Sequence, residues 1–260
     1  MKKIFVILSF SFLVLLLSGE SIIKTNIIEN KLTICILGGT PSTAHIVNQL
    51  PHEILERYNI ISFNRPGFGG TPNSVMNKQR LFALAKKAGL KENDFGIIGI
   101  SGGGPLAILI ADKFNLSHCG IISGMVSEEA YFPYADSTFT KPLMQSVLLG
   151  FDSFKTKTET FPNVQEIIKQ AESQKNLAIR GCFDELNFIL SPCLFSKKDF
   201  NVNLIWWHGE KDRNVALASV KLFLRDFKNS ELNIIPNGSH AIDARIYINK
   251  LIQSWKNNLN

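Results

Sequence analysis

From Leu32 onward the hydrophobic pattern of the chain alternates between two rhythms. Short runs that are apolar at almost every position, among them LTICILGG, NIISF, FGIIGI, CGIISGM, VNLIWWHG and LNIIP, stop at glycine, proline or small polar residues. Between them lie stretches with apolar residues every three or four positions: Thr43–Tyr58, Val75–Gly89, Gly103–Phe114, Ala216–Phe227 and Ala241–Leu259. Strands that are apolar on both faces and alternate with helices predict an α/β fold, a mostly parallel sheet covered by helices on both faces. No repeat period is present. The segment from about Val126 to Phe200 breaks the alternation, with Pro133, Pro142, Pro162 and Pro192 and helical spacing near Lys141–Leu149, Val164–Ala178 and Phe183–Leu190. A segment of that size between two sheet strands predicts an inserted helical subdomain rather than a loop. The expected organisation is a core made from residues 20–125 and 201–260, with a helical cap at 126–200.

The N-terminus follows neither rhythm. Lys2 and Lys3 precede an apolar run from Ile4 to Leu17, broken only by Ser9 and Ser11, and Ser18 and Gly19 follow. That is the order of a secretory signal, and a run of about 14 residues is too short for a hydrocarbon core of about 30 Å. Residues 1–19 are therefore expected to act as a signal peptide cut before Glu20, sending the protein to the periplasm or the medium. The alternative is an uncleaved anchor, since Leu16 or Leu17 is a poor residue three positions before the cut. In that case the segment supplies the chain's only membrane contact.

Hydrophobic residues make up 45% of the chain and charged residues 19%, a globular balance with ample material for a core. The formal net charge is +6, but the lysines are scattered and no basic block occurs, so nucleic-acid binding is not expected. None of Cys35, Cys119, Cys182 and Cys193 has C-x-x-C spacing. Cys35 and Cys119 sit in strand-like runs and read as buried residues. Cys182 and Cys193 are a candidate disulfide that export favours. A helix over Phe183–Leu190 opposes it, because a disulfide needs alpha carbons within about 7 Å. Both states stay open.

The stretch IIGISGGGPLAILIA, Ile97 to Ala111, sets one serine among four glycines between a strand and a helix. Gly102, Gly104 and Ala107 satisfy the dinucleotide pattern G-x-G-x-x-A, but the next strand ends without the acid that would hold a ribose. No Gly-Lys-Ser/Thr of a P-loop occurs either. Gly99, Ser101 and Gly103 spell G-x-S-x-G, in which small residues two before and two after allow a strained turn that lifts a serine hydroxyl clear of the sheet. A serine nucleophile needs a base and the base needs an orienting acid. Asp212, in the loop after VNLIWWHG, and His240, after LNIIP, follow in that chain order. All three fall at the carboxyl ends of parallel strands, where loops converge.

With these motifs assembled, the chain resembles the α/β-hydrolases that carry a helical cap. The likeness runs from about Leu32 to the C-terminus and rests on GGTP, NRPGFGGT, GISGGGP, HGEKD and GSH in that order. It implies Ser101 as nucleophile, His240 as base, Asp212 as orienter, and the backbone amides of Gly102 and Thr40 as oxyanion donors. It implies no metal and no organic cofactor. The expected activity is acyl transfer to water from small, fairly apolar carboxylic esters or amides. Three departures stand out. Gly38 replaces a frequent histidine, Asn64 replaces a frequent aspartate before RPG, and little chain precedes LTICILGG, so the usual leading strand pair is expected to be truncated or reduced to SIIKTNIIE.

Other assignments fit some of the same residues. Asp212 suits a simple turn cap, and Glu128, after an earlier strand, is a reserve acid. His45, His52, His118 and His208 match no motif and read as structural. Phe132, Tyr134, Phe139, Phe151 and Phe154 read mostly as cap core, with one or two of them facing the serine. A binding protein on the same scaffold is the non-catalytic alternative. The N-terminal pattern itself makes a testable statement: protein recovered from its native host is expected to have the intact mass of a chain beginning near Glu20. A full-length mass would rule out cleavage.

Overall fold

The computed structural model describes residues 15–17, 20–25, 28–29, 31–136, 138, 140–160, 164–191, 194–195, 200 and 202–257. The strands are β1 (Leu15–Leu17), β2 (Glu20–Lys24), β3 (Thr33–Leu37), β4 (Asn59–Phe63), β5 (Gly96–Ile100), β6 (His118–Ile122), β7 (Asn203–Gly209) and β8 (Ser230–Ile235). They form one sheet in the order β1-β2-β4-β3-β5-β6-β7-β8. β1 pairs antiparallel with β2 and β2 antiparallel with β4, and all the other pairings are parallel. The core helices are α1 (His52–Arg57), α2 (Lys78–Lys87), α3 (Gly103–Lys113), α9 (Leu217–Leu224) and α10 (Ala244–Asn257). The cap helices, all between β6 and β7, are α4 (Glu128–Tyr131), α5 (Thr140–Leu148), α6 (Phe151–Glu159), α7 (Val164–Ala171) and α8 (Lys175–Ile189). Among the described residues no helix is long and apolar enough to cross a membrane.

Successive strand residues point to opposite faces, and both faces are apolar. Cys35, Leu37, Ile97, Cys119, Ile121 and Trp206 pack with α2, α3, α9 and the cap. Ile34, Ile36, Ile98, Ile122 and Ile205 pack with α1 and α10 on the other side. Each strand is therefore read by the core twice, which explains the unbroken apolar runs.

Several elements differ from the sequence expectation for identifiable reasons. The helix expected over Thr43–Tyr58 is a 3-10 helix, Ala44–Gln49, followed by α1, with Pro51 between them. Proline has no N–H for the helix ladder and suits only a helix start. The stretch Val164–Ala178 splits into α7 and α8, because Glu172 is left-handed at φ +49. The last α7 carbonyl, that of Ala171, instead accepts from the Gly69 amide of the core at 2.6 Å. The expected helix Phe183–Leu190 is the second half of α8, so Cys182 lies inside a helix as a free, buried thiol. Cys193, and with it the expected pairing, lies outside the described residues. The leading strand pair consists of β1 and β2. β1 falls within the segment that cleavage before Glu20 would remove, which would leave β2 as the sheet edge.

Ser101 lies in the turn between β5 and α3 at φ +49. A left-handed residue other than glycine costs about 1–3 kcal/mol and persists only where its surroundings over-determine it. Here the Ser101 N–H donates to the Ile122 carbonyl at 3.0 Å, and the Ser101 carbonyl accepts from Gly104 at 2.9 Å and Met125 at 3.0 Å. A Cβ on Gly99 would lie 2.5 Å from the Gly103 oxygen and 2.7 Å from the Gly104 alpha carbon. One on Gly103 would overlap the carbonyls of Leu37 and Gly38 at the end of β3. Gly99→Ala is therefore expected to destabilise by at least the upper part of the about 1–3 kcal/mol that overpacking costs, read from urea unfolding; a neutral result would mean the turn has slack.

On the far face His118 is stacked on Trp255 at 5.3 Å and meets the edge of Phe95 at 4.9 Å. Burial holds its pKa below the ordinary value. The unfolded chain takes up this proton near pH 6.5 and the folded chain only at lower pH, so stability is expected to fall as the pH drops below about 6.5. His118→Phe is expected to remove part of the decline in urea midpoint between about pH 7.5 and 5.5. An unchanged decline would assign the linkage to other groups.

Candidate active site

Three loops at the carboxyl ends of β5, β7 and β8 converge on one point. The β5–α3 turn raises the Ser101 hydroxyl, whose Oγ lies 2.9 Å from His240 Nε2. His240 stands after β8 and before α10, with its side chain partly exposed. Its Nδ1 lies 2.8 Å from Asp212 Oδ2. Asp212, in the loop after β7, has a fully buried side chain. The other oxygen, Oδ1, accepts from the amides of Asn214 at 2.8 Å and Val215 at 2.9 Å. The turn-cap and histidine-orienting readings of Asp212 thus use one oxygen each. Glu128 sits half-buried at the start of α4, and His240 Nδ1 bonds to Asp212 rather than to it.

His208 adds a contact that no motif marked. It lies on β7, two residues after Trp206 and therefore on the same face. The Trp206 indole can only donate, so His208 Nδ1 accepts at 3.3 Å; Nε2 then carries the proton and donates to the Val215 carbonyl at 2.8 Å. The same Nε2 is 3.3 Å from Asp212 Oδ2. Burial lowers the pKa of His208, outweighing the negative charge of Asp212, so the ring stays neutral. It steadies the Asp212 loop without taking the carboxylate's charge away from His240. The only sequence signal was a histidine four positions before the acid.

The loop after β3 passes over the serine. A Cβ on Gly102 would lie 3.0 Å from the Thr40 nitrogen, so the two residues stand side by side. Neither the Thr40 nor the Gly102 amide donates to a protein acceptor among the described residues. Asn64 holds this region, accepting from the Ala44 amide at 2.6 Å and donating to the Gly69 carbonyl at 3.4 Å. An aspartate could not make the second bond.

Ser101 and His240 open into a cavity of about 820 Å³. Its lining combines the apolar residues Met125, Leu143, Met144, Leu186 and Val215 with the polar residues Thr43, His45, Gln49, Glu166, Lys169 and Glu172. Tyr131 also lines the cavity, and its hydroxyl, which has no hydrogen-bond partner among the described residues, is pushed up to about 12, first by burial and then by Asp212 and Asp136. It stays a protonated donor. Of the aromatics singled out in the cap, Phe151 and Phe154 pack on Phe183, Phe132 packs on Tyr131 and Tyr134 is exposed. None of these four lines the cavity, and Phe139 lies outside the described residues. His45 lies 3.5 Å from Glu172 at the cavity mouth, and His52 3.3 Å from Glu56 on α1. Among the described residues no group of three or more His, Cys, Asp or Glu is placed to hold a metal ion.

By sequence the chain matches no protein-family profile and no curated protein. By structure it is similar to a candidate lipase from Acinetobacter baumannii, at a TM-score of 0.68 and 16% identity over 95% of this chain and 92% of that one. It is also similar to an alpha/beta hydrolase enzyme from a Medee basin deep-sea metagenome library, at a TM-score of 0.65 and 14% identity over 92% and 94% of the two chains. A thermophilic esterase from Thermogutta terrifontis aligns at a TM-score of 0.62 and 14% identity, over 92% and 93%. With a mostly parallel sheet in this strand order, helices on both faces and a helical cap between β6 and β7, the chain has the fold of the α/β-hydrolases.

Proposed function

We propose that the chain is a serine hydrolase that cleaves small, fairly apolar carboxylic esters or amides through an acyl-enzyme. The observation that carries this reading is the unbroken line from Ser101 Oγ through the two His240 nitrogens to Asp212 Oδ2, at 2.9 and 2.8 Å, opening into a half-apolar cavity. In the reaction His240 Nε2 takes the hydroxyl proton as Ser101 Oγ bonds to the substrate carbonyl carbon. The carbonyl oxygen becomes an oxyanion facing the Gly102 and Thr40 amides, which donate to no protein acceptor among the described residues, in support of that role. His240 then gives its proton to the leaving alcohol or amine. Water repeats the sequence on the acyl-enzyme and frees Ser101. Asp212 fixes the tautomer that leaves Nε2 free to accept. The apolar run at the N-terminus supports a place of action outside the cytoplasm.

Wild-type protein is expected to take a fluorophosphonate label at Ser101 and to hydrolyse short p-nitrophenyl esters. Ser101→Ala is expected to lose both while keeping its fold. Asp212→Asn is expected to lower turnover by about 10³–10⁴-fold through loss of tautomer control, and Glu128→Gln is expected to change little. Absence of label on wild type would leave a binding protein on the same scaffold as the better account. A damaging Glu128→Gln beside a neutral Asp212→Asn would move the acid to the earlier strand.

A further inference from the structure

Arg65 and Glu185 form an ion pair whose side chains are each 1% exposed. Arg65 comes from the RPG segment after β4 and Glu185 from cap helix α8. Arg65 Nε donates to Glu185 Oε2 at 2.5 Å and Nη2 to Oε1 at 3.2 Å. Arg65 Nη2 also donates to the Gly39 carbonyl at 2.5 Å, and the Thr40 hydroxyl donates to Glu185 Oε1. The Gly39 carbonyl and the Thr40 N–H belong to one peptide unit. In a planar trans peptide the two point in opposite directions, so fixing the oxygen fixes the direction of the N–H.

We propose that the Arg65–Glu185 pair positions the Thr40 amide for the oxyanion, tying the cap to the catalytic loop. The proposal rests on the reading of Ser101 as nucleophile and of Thr40 as an oxyanion donor. Arg65 holds the far end of the peptide and polarises its carbonyl, which strengthens the N–H as a donor. Glu185 holds the planar guanidinium in that orientation through two bonds, and it also takes the Thr40 hydroxyl. The cap does not need the pair in order to dock. Its backbone already meets the core closely at Gly181, where a Cβ would lie 2.9 Å from the Pro66 oxygen and 3.0 Å from the Gly67 alpha carbon. The Gly69 amide bonds to the Ala171 carbonyl nearby at 2.6 Å. A buried ion pair is weak as a source of stability, because apolar residues of similar volume do as well or better. A positioning role gives a reason for two charges at this depth.

The test is the double variant Arg65→Met/Glu185→Leu in the full chain, with Glu185→Gln beside it. Urea unfolding reports the fold, the rate of fluorophosphonate labelling reports Ser101 with its oxyanion site, and p-nitrophenyl ester kinetics separate kcat from KM. The double variant is expected to be at least as stable as wild type, with kcat and labelling rate lower by on the order of 10²-fold, the scale of a misplaced or missing oxyanion donor, and KM within about threefold. Glu185→Gln keeps one acceptor oxygen where Glu185 uses two and sets an NH2 group against an Arg65 donor, so it is expected to lower kcat, by less than the double variant does. A folded double variant with wild-type kcat and labelling rate overturns the proposal. So does a rise in KM alone, which would make the pair a wall of the cavity. If the double variant does not fold, Glu185→Gln decides by the same split: a lower kcat at constant KM supports the proposal, and a wild-type kcat overturns it. A wild type that takes no label at Ser101 overturns the underlying reading as well, whereas equal labelling of wild type and variants overturns only the role of the pair.

Discussion

Ser101 holds a backbone conformation of raised free energy, and the structure around it leaves no room to relax. The space a side chain would need at Gly99 is filled by the first turn of α3, and at Gly103 by the end of β3. Three backbone hydrogen bonds from two neighbouring segments fix the serine's own N–H and carbonyl. This crowding decides much of what surrounds it. β3 must end against the start of α3, so the loop that leaves β3 has to cross the serine, and Thr40 comes to stand beside Gly102. The start of α3 then lies beside the hydroxyl, with the positive end of the helix dipole toward it.

Around that turn lie two buried electrostatic systems with different designs. The Asp212 carboxylate is met by dipoles: two backbone amides, the neutral ring of His208, and His240. Because His208 is kept uncharged by burial, it leaves the carboxylate's second oxygen to its bond with His240. A charge supplied by His208 would have weakened the hold on His240. Arg65 and Glu185 instead compensate each other completely, and their surplus bonding capacity goes to the loop between β3 and the 3-10 helix. The first system leaves room for a proton to move, and the second holds atoms still.

The cap contributes to both the shape and the chemistry of the cavity. α5 brings the apolar Leu143 and Met144 to its lining and α7 the charged Glu166 and Lys169. The seam between α7 and the core is bridged by Glu172, which accepts from the Thr43 hydroxyl at 3.0 Å. α8 reaches beneath the cavity with Glu185 and presents Leu186 to it. One helix therefore serves wall and foundation through consecutive residues.

The alternation of strands and helices, the cap, and the meeting of Ser101, Asp212 and His240 were legible in the chain because they rest on short-range rules. A strand buried on both faces must be apolar throughout, a strained turn needs glycine on either side, and loops at one end of a parallel sheet must converge. Helix boundaries were less legible. The helical spacing over Thr43–Tyr58 runs straight across Pro51, where the structure breaks it, and Glu172 carries no sequence sign that it turns left-handed and ends α7. Glu185 read as one more charge on a cap helix, and Arg65 as part of a turn motif, although 120 positions apart they share two hydrogen bonds. His208 and Tyr131 likewise gained their surroundings only on folding. Periodicity and spacing record what a residue requires of its neighbours in the chain. Which buried polar group meets which depends on the packing of distant segments, where each unpaired donor or charge must find a partner or leave the interior.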